Sequence, residues 1–172
     1  STAAALMEEL PLTAIKGNAS EIKALALGSS TTQGVDANAA DVVTEENLAA
    51  QVAFAKSYAA ELGCILAITG PIDLVTDGMR CFAIRNGRPE MEKITGTGCQ
   101  IAGILTAYLV ANPDMQLEAA AAAVALMGVA GEIAWDALQP GEGNATYRNR
   151  IIDTICTMDA ETLEAKANYE VF

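Results

Sequence analysis

The sequence Ile94-Thr95-Gly96-Thr97-Gly98-Cys99, followed by the apolar residues 100–110, predicts a glycine-rich turn that opens directly into a helix. The first N–H groups of a helix have no internal partner, and together they carry partial positive charge. Glycines ahead of that turn let a ligand approach the backbone closely. Gly96 to Gly98 therefore favour an anion-binding site, with Cys99 at its mouth as a candidate base or nucleophile.

This stretch differs from the common nucleotide-binding loops. A Walker loop has a Lys directly after its last Gly, and a Rossmann fingerprint would need a third Gly where Ile101 stands. Helix starts with Gly and Thr also occur without any ligand. A plain helix N-terminus with a buried structural Cys99 therefore remains the alternative.

Composition limits the classes of function. The 172 residues suit one domain, and a hydrophobic content of 52% can fill a sizeable core. The net charge of −12, from 22 acidic and 10 basic residues, argues against binding nucleic acid or an anionic membrane through a broad basic face. A phosphate ligand would have to be held locally, by backbone N–H groups, a few cations and a divalent metal.

The absence of His removes the commonest general base, so a base must be a carboxylate, Cys, Lys or Tyr. The four Cys residues form no CxxC pair, which argues against zinc and dithiol redox sites and favours a reduced, cytoplasmic setting. The apolar run 119–131 is too short to span a bilayer and predicts a buried helix.

Alternating strand and helix patterns predict a single α/β domain over residues 1–172. We expect residues 27–43 to form a surface loop and residues 159–172 a tail that docks at an interface. The predicted strands are 12–16, 64–69, 73–76 and 80–85, with a short extended piece at 91–94. The predicted helices are 1–9, 18–26, 44–62, 97–110, 117–138 and 146–158.

Asn18 and Glu21 follow the first predicted strand at a spacing of three, which places both on the first turn of a helix. Glu21 could hold Mg²⁺ beside a phosphate, since such sites often use one carboxylate and phosphate oxygens. The alternative is a capping arrangement, with Asn18 as N-cap and Glu21 closing the turn. The two roles can coexist.

Three predicted strand ends, at Lys16, Thr69 and Ile94, each run into a turn that contains glycine. Ligand sites of open α/β sheets lie beyond such ends. Lys16 could contact phosphate and Thr69 could donate to phosphate or sugar, although a solvated Lys and a plain strand-to-turn transition remain alternatives. Together these groups match the layout of a phosphoryl-transfer site.

Four segments in this order resemble hydroxyethylthiazole kinases of the ribokinase-like superfamily: residues 15–21 (IKGNASE), 67–70 (AITG), 94–99 (ITGTGC) and 118–132 (EAAAAAVALMGVAGE). The resemblance implies a layered α/β/α fold with a mostly parallel sheet plus a hairpin. It also implies ATP- and Mg²⁺-dependent phosphorylation of the primary hydroxyl of 4-methyl-5-(2-hydroxyethyl)thiazole, a step of thiamine salvage.

The resemblance places Cys99 at the position of the catalytic base, where many superfamily relatives have Asp. Gly96, Thr97 and Gly98 would form the anion hole, with Gly96 also near the thiazole. A thiol is a modest base, and the positive end of the helix dipole favours its thiolate form.

On the nucleotide side, Lys16 stands where the family usually has an ATP-contacting Arg. Lys supplies the charge without the bidentate fork of Arg. Thr69 matches an ATP-contacting Thr, and Asn18 and Glu21 match an Asn-x-x-Glu element for Mg²⁺ and phosphate.

The resemblance also implies that this chain lacks the N-terminal third of the family's chain, which contributes strands, part of the thiazole pocket and part of a trimer contact. We therefore expect a homotrimer or a partner segment. Two alternative functions remain. One is a superfamily kinase for another small alcohol or for hydroxymethylpyrimidine, against which Cys99 argues, and the other is a non-catalytic nucleotide-binding fragment.

Overall fold

The computed structural model describes residues 2–28 and 42–172. Strands and helices are mixed up to Ile84, and helices predominate after residue 96. In chain order the elements are α1 (Thr2–Glu9), β1 (Ala14–Asn18), α2 (Ala19–Gly28), α3 (Leu48–Leu62), β2 (Ile65–Thr69), β3 (Asp73–Thr76), β4 (Cys81–Ile84), a 3₁₀ helix (Pro89–Lys93), α4 (Thr97–Ala111), α5 (Gln116–Asp136), α6 (Asn144–Thr157), α7 (Ala160–Lys166) and β5 (Tyr169–Val171).

The five strands form one sheet in the order β1-β2-β3-β4-β5, which confirms the predicted α/β class. β1 pairs with β2 in parallel, and β2 pairs with β3 antiparallel. Only residues 70–72 connect β2 to β3 and residues 77–80 connect β3 to β4, and a parallel crossover needs a dozen residues or more. The sheet is therefore mixed rather than mostly parallel, and the predicted β3–β4 hairpin is present.

The chain forms two compact units. The first contains the residues up to Ala83 together with Val171–Phe172, and the second is Ile84–Glu170. The single domain expected over residues 1–172 stays a prediction.

In the first unit, α2 and α3 pack on one face of the sheet. Side chains alternate along a strand, so Leu66, Ile68 and Leu74 share that face. All three are buried in one cluster with Ile22 of α2 and Val52 of α3. Ala67 and Val75, which point the other way, are fully buried as well. Both faces of the strands are therefore covered along their middle, and their ends are where polar side chains can sit.

The second unit is built around α5, which contacts both α4 and α6. Two glycines of α5 allow very close approach. A Cβ on Gly128 would lie 2.6 Å from the Asn86 carbonyl carbon, and one on Gly131 would lie 2.2 Å from the Met91 sulfur. Tyr147 of α6 donates its hydroxyl hydrogen bond to the Gly131 carbonyl at 3.0 Å. The two glycines therefore allow Asn86, Met91 and Tyr147 to pack closely against α5.

Among the described residues, α5 is the one helix long and apolar enough to cross a membrane, judged by length and composition. Its most apolar 18-residue window is 78% buried inside the protein, and a buried core helix passes the same test. The buried helix predicted over 117–138 is therefore confirmed, with bounds Gln116–Asp136.

Several predicted boundaries are wrong. Residues 91–94 were expected to be extended, but Pro89 opens a 3₁₀ helix through Lys93, in keeping with the preference of Pro for the first helical position. The helix predicted over 44–62 does not begin at Thr44. The Thr44 N–H donates to Asn47 Oδ1 at 2.8 Å, which closes a turn, and α3 begins after that turn at Leu48.

The loop expected over 27–43 also begins later, since α2 continues through Gly28. Residues 29–41 of that loop lie outside the described residues.

The C-terminal boundary of α3 is confirmed, because Gly63 adopts the left-handed conformation (φ 66°) and its N–H donates to the Ala59 carbonyl.

The tail adds a short helix and an edge strand. Cys81 and Phe172 exchange both backbone hydrogen bonds, at 3.0 and 2.9 Å, and the Arg85 N–H donates to the Asn168 carbonyl at 2.8 Å. The buried Asn86 side chain also ties down the tail, accepting from the Asn168 N–H at 2.7 Å and donating to the Lys166 carbonyl at 2.9 Å. Within this chain the tail therefore pairs with β4.

Candidate functional site

The glycine-rich turn before α4 has the predicted form. Gly96 precedes the helix in the left-handed conformation, with φ 94° and ψ 1°. Its carbonyl accepts hydrogen bonds from the Cys99 N–H at 3.1 Å and the Gln100 N–H at 3.0 Å. Only glycine adopts this φ without strain. Gly96 therefore sets the direction in which α4 starts and places Cys99 in its first turn.

Cys99 is exposed, so the alternative of a buried structural thiol at this position is wrong. The thiol lies near the N-terminus of a 15-residue helix, where the dipole favours a negative charge. An exposed thiol at a helix N-terminus can act as a base, and an anionic ligand can bind beside it. Its proposed role in catalysis stays a prediction.

The anion hole predicted at Gly96, Thr97 and Gly98 stays a prediction, and the next N–H along the chain, that of Cys99, donates to the Gly96 carbonyl. Thr97 contributes the first N–H of α4, and its hydroxyl donates to the Ile94 carbonyl at 3.4 Å. Gly98 follows at the second helical position. An anion at this turn would meet the Thr97 N–H, the first of α4.

Asn18 and Glu21 form the reciprocal capping arrangement at the start of α2. The Asn18 N–H donates to Glu21 Oε2 at 2.7 Å, and the Glu21 N–H donates to Asn18 Oδ1 at 2.8 Å. The capping alternative is therefore confirmed. Both side chains are exposed, and Glu21 Oε1 makes no hydrogen bond with the described residues. That oxygen fits a metal-bound water or a single Mg²⁺ contact, with phosphate supplying the other ligands.

The sequence predicted that the first strand ends at Lys16, and this is wrong. β1 continues through Gly17 to Asn18 because its pairing with β2 extends to the register Asn18↔Thr69. Gly17 permits this, since a Cβ there would lie 3.1 Å from Ile22 Cδ1 and 3.2 Å from Glu21. Ile94 does not end a strand either, since it follows the 3₁₀ helix.

The register brings the nucleotide-side candidates onto one face of the sheet. Lys16 pairs with Ala67 and Asn18 with Thr69, and side chains paired across strands share a face. β2 and β3 are antiparallel, with Ile68 opposite Leu74, so extending this register by one residue sets Asp73 opposite Thr69. Lys16, Asn18, Thr69 and Asp73 therefore share the face opposite to the one covered by α2 and α3.

Asp73 is a residue that sequence reasoning missed. Its Oδ1 accepts a hydrogen bond from the Gly70 N–H at 2.8 Å and closes the turn between β2 and β3. Burial raises the pKa of Asp73 from its ordinary 3.8 to about 7, and the Gly70 N–H and the Lys16 ammonium oppose that rise. The available signal was an acidic residue opening the otherwise uncharged strand Asp-Leu-Val-Thr, directly after the Thr69-Gly70 turn.

The predicted site residues divide between the units. Lys16, Asn18, Glu21 and Thr69 lie in the first unit, and Gly96 to Cys99 lie in the second. Among residues 2–28 and 42–172, no group of three or more Cys, Asp or Glu side chains is placed to hold a metal ion by itself.

Comparison with known proteins points to one family. The sequence model of the Hydroxyethylthiazole kinase family matches residues 1–161. A hydroxyethylthiazole kinase from Clostridium acetobutylicum is 44% identical over 171 residues, which cover 99% of this chain and 63% of that protein. One from Ruminiclostridium cellulolyticum is 34% identical, over 96% of this chain and 59% of that protein.

A solved structure agrees. A hydroxyethylthiazole kinase protein from Pyrococcus horikoshii superposes with a TM-score of 0.74 at 25% identity, over 94% of this chain and 55% of that chain. This chain therefore spans less than two thirds of the length of the relatives it matches.

Proposed function

This chain belongs to the hydroxyethylthiazole kinase family, and we propose that it takes part in transferring the γ-phosphate of ATP to the primary hydroxyl of 4-methyl-5-(2-hydroxyethyl)thiazole. The observation that carries the proposal is the exposed Cys99 in the first turn of α4, three residues after the left-handed Gly96. That geometry supplies a base beside backbone donors, which is what this reaction requires.

In the proposed step, the Cys99 thiolate accepts the proton of the substrate hydroxyl. The hydroxyl oxygen then bonds to the γ-phosphorus, the bond from that phosphorus to its bridging oxygen breaks, and ADP leaves. The Thr97 N–H and the α4 dipole stabilise the charge on the transferred phosphoryl group.

The nucleotide side of the proposed site uses the face shared by Lys16, Asn18 and Thr69. The Lys16 ammonium attracts the phosphates of ATP as a point charge. The Thr69 hydroxyl makes no hydrogen bond with the described residues and can donate to a nucleotide oxygen. Mg²⁺ would neutralise phosphate charge, with Glu21 the carboxylate best placed to hold it or its water shell.

The direct test is ATP-dependent phosphorylation of hydroxyethylthiazole by the purified protein with Mg²⁺ present. Formation of the phosphate ester together with ADP supports the proposal. ATP binding without turnover of any alcohol favours the alternative of a nucleotide-binding piece. Preference for hydroxymethylpyrimidine would favour the other superfamily kinase.

Glu21→Gln is expected to raise the Mg²⁺ concentration for half-maximal turnover by roughly fivefold, which corresponds to about 1 kcal/mol. The amide can still accept from the Asn18 N–H, so the helix cap persists while the negative charge is lost. Turnover would be titrated with Mg²⁺ at fixed ATP.

Glu142→Gln is the matched control, because Glu142 Oε2 accepts from the Gln139 N–H at 2.8 Å with the same spacing of three residues. An unchanged Mg²⁺ titration for Glu21→Gln would reduce Glu21 to a helix cap.

Gly96→Ala is expected to lower turnover by ~10- to 100-fold, since small displacements of reacting groups have effects of this size. Space is available for the new Cβ, but an Ala at φ 94° is strained, so the turn and Cys99 would shift. Gly143→Ala is the control, because Gly143 also precedes a helix but has φ −118°. Equal loss in both variants would show that left-handed geometry is not the reason.

The homotrimer, the cytoplasmic location and a role for a further N-terminal portion stay predictions of the resemblance. Size-exclusion chromatography with light scattering measures the first of these directly.

A further inference from the structure

We propose that Asp73 is a positioning residue of the nucleotide site, which holds the Thr69–Gly70 turn and, when ionised, competes with nucleotide phosphate for the Lys16 ammonium. The inference deepens the proposed function and rests on it. It concerns a side chain that neither the sequence motifs nor the family resemblance assigned.

The first support is the strand register. Asn18, Thr69 and Asp73 stand in one row across β1, β2 and β3, and Lys16 lies on the same face two residues back along β1. Neighbouring strands are about 4.8 Å apart, so Lys16 and Asp73 flank β2 at roughly 10 Å between backbones. Their side chains can meet over Ala67 and Thr69, where the proposed nucleotide contacts lie.

The second support is the turn itself. Asp73 Oδ1 accepts from the Gly70 N–H at 2.8 Å, so one carboxylate oxygen fixes the backbone that follows Thr69. A side chain that accepts from a backbone N–H three residues earlier rigidifies a tight turn. Asp73 thus helps to fix the backbone turn that directly follows Thr69.

The third support is charge. The carboxylate of Asp73 interacts electrostatically with the Lys16 ammonium, and its partial burial makes the ionised form costly near neutral pH. A nucleotide phosphate near Lys16 would be repelled by an ionised Asp73 and would favour its protonated form. Binding of nucleotide should therefore be linked to uptake of a proton.

Several other titratable groups in the described part of the first unit lie on the strands or on the helices packed against them. β2 carries no charged side chain, and β4 contributes the Cys81 thiol, which is buried in the cluster on the α2 and α3 face. Within the described residues of the first unit, α2 and α3, which pack on the other face of the strands, carry four charged side chains: Glu21, Lys23, Lys56 and Glu61. Among the charged side chains of β1 to β3, Lys16 is therefore the cation that shares a face with Asp73 and interacts with it electrostatically.

The test measures ATP affinity by calorimetry between pH 6 and pH 8.5 for the wild type, Asp73→Asn and Asp73→Ala. Asn keeps an oxygen for the Gly70 N–H and removes the charge, whereas Ala removes both. Titration of ATP itself affects all three proteins equally, so the ratio of dissociation constants is the readout.

We expect Asp73→Asn to bind ATP ~3- to 10-fold more tightly than the wild type at pH 8 and within twofold of it at pH 6. Asp73→Ala should bind more weakly than Asp73→Asn at every pH. In a Lys16→Gln background the gain at pH 8 should fall by at least half. A ratio that does not vary with pH would overturn the inference.

A measurement on the wild type alone guards against poorly folding variants. ATP binding at pH 8, where ATP is already fully ionised, in buffers of different ionisation enthalpy should report net proton uptake, and the absence of uptake would overturn the inference. Absence of ATP binding at every pH would overturn both this inference and the proposed function, whereas binding with an unchanged pH ratio would overturn this inference alone.

Stability gives an independent check of the charge. Because the folded-state pKa of Asp73 lies above its ordinary 3.8, its contribution to stability is full below about pH 4 and is lost as pH rises to about 7. Asp73→Asn should therefore gain in unfolding free energy relative to the wild type between pH 5 and pH 8, and no such gain would overturn the charge assignment.

Discussion

Cys99→Ala is expected to lower kcat by about 10²- to 10⁴-fold, the range that a positioned general base contributes. The side chain is exposed in the first turn of α4, and its removal leaves the Gly96 turn and the backbone donors in place. The dissociation constant of ATP should change less than twofold, because the proposed nucleotide contacts lie on β1 and β2. Single-turnover kinetics and ATP calorimetry separate the two effects.

Cys156→Ala is the matched control, since Cys156 is also exposed but lies on α6. It should retain wild-type turnover. If Cys99→Ala stays within about twofold of the wild type, worth only ~0.4 kcal/mol of barrier, Cys99 is not the base. An equal loss of ATP affinity would instead make Cys99 a binding residue.

Gly128→Ala is expected to destabilise the fold by about 1–3 kcal/mol, as inserting a methyl group into a filled site does. The new Cβ would lie 2.6 Å from the carbonyl carbon and from the Cβ of Asn86. Asn86 cannot easily yield, because its side chain donates to the Lys166 carbonyl and accepts from the Asn168 N–H. The Gly87 N–H also donates to Glu132 of α5 at 2.7 Å.

Urea unfolding would measure this loss, with Gly103→Ala as the control. Gly103 also lies inside a helix, α4, but a Cβ there would meet nothing within 4 Å. The control should be neutral or stabilised by up to about 1 kcal/mol, because Ala favours the helix over Gly. Equal stability changes in the two variants would show that the α5–Asn86 contact tolerates a side chain.

The sequence predicted correctly those helix ends that depend on a single proline or glycine. The Pro11 stop after α1, the Gly63 cap of α3 and the Gly96 turn before α4 lie where the chain's own backbone preferences place them. A predicted helix boundary was wrong where a neighbouring side chain forms a hydrogen bond that favours a different backbone conformation. A helix was predicted to start at Thr44, but the Asn47 side chain accepts from the Thr44 N–H and closes a turn, so α3 starts at Leu48.

The candidate site divides in the same way. The sequence alone determined Gly96, Cys99 and the Asn18–Glu21 pair, because each depends on neighbours within three residues along the chain. Only the tertiary structure decided that Asp73 shares a face with Lys16. Strand pairing is a long-range choice, and a shift of one residue in register would turn every side chain of a strand to the opposite face. No local pattern in the sequence carries that information.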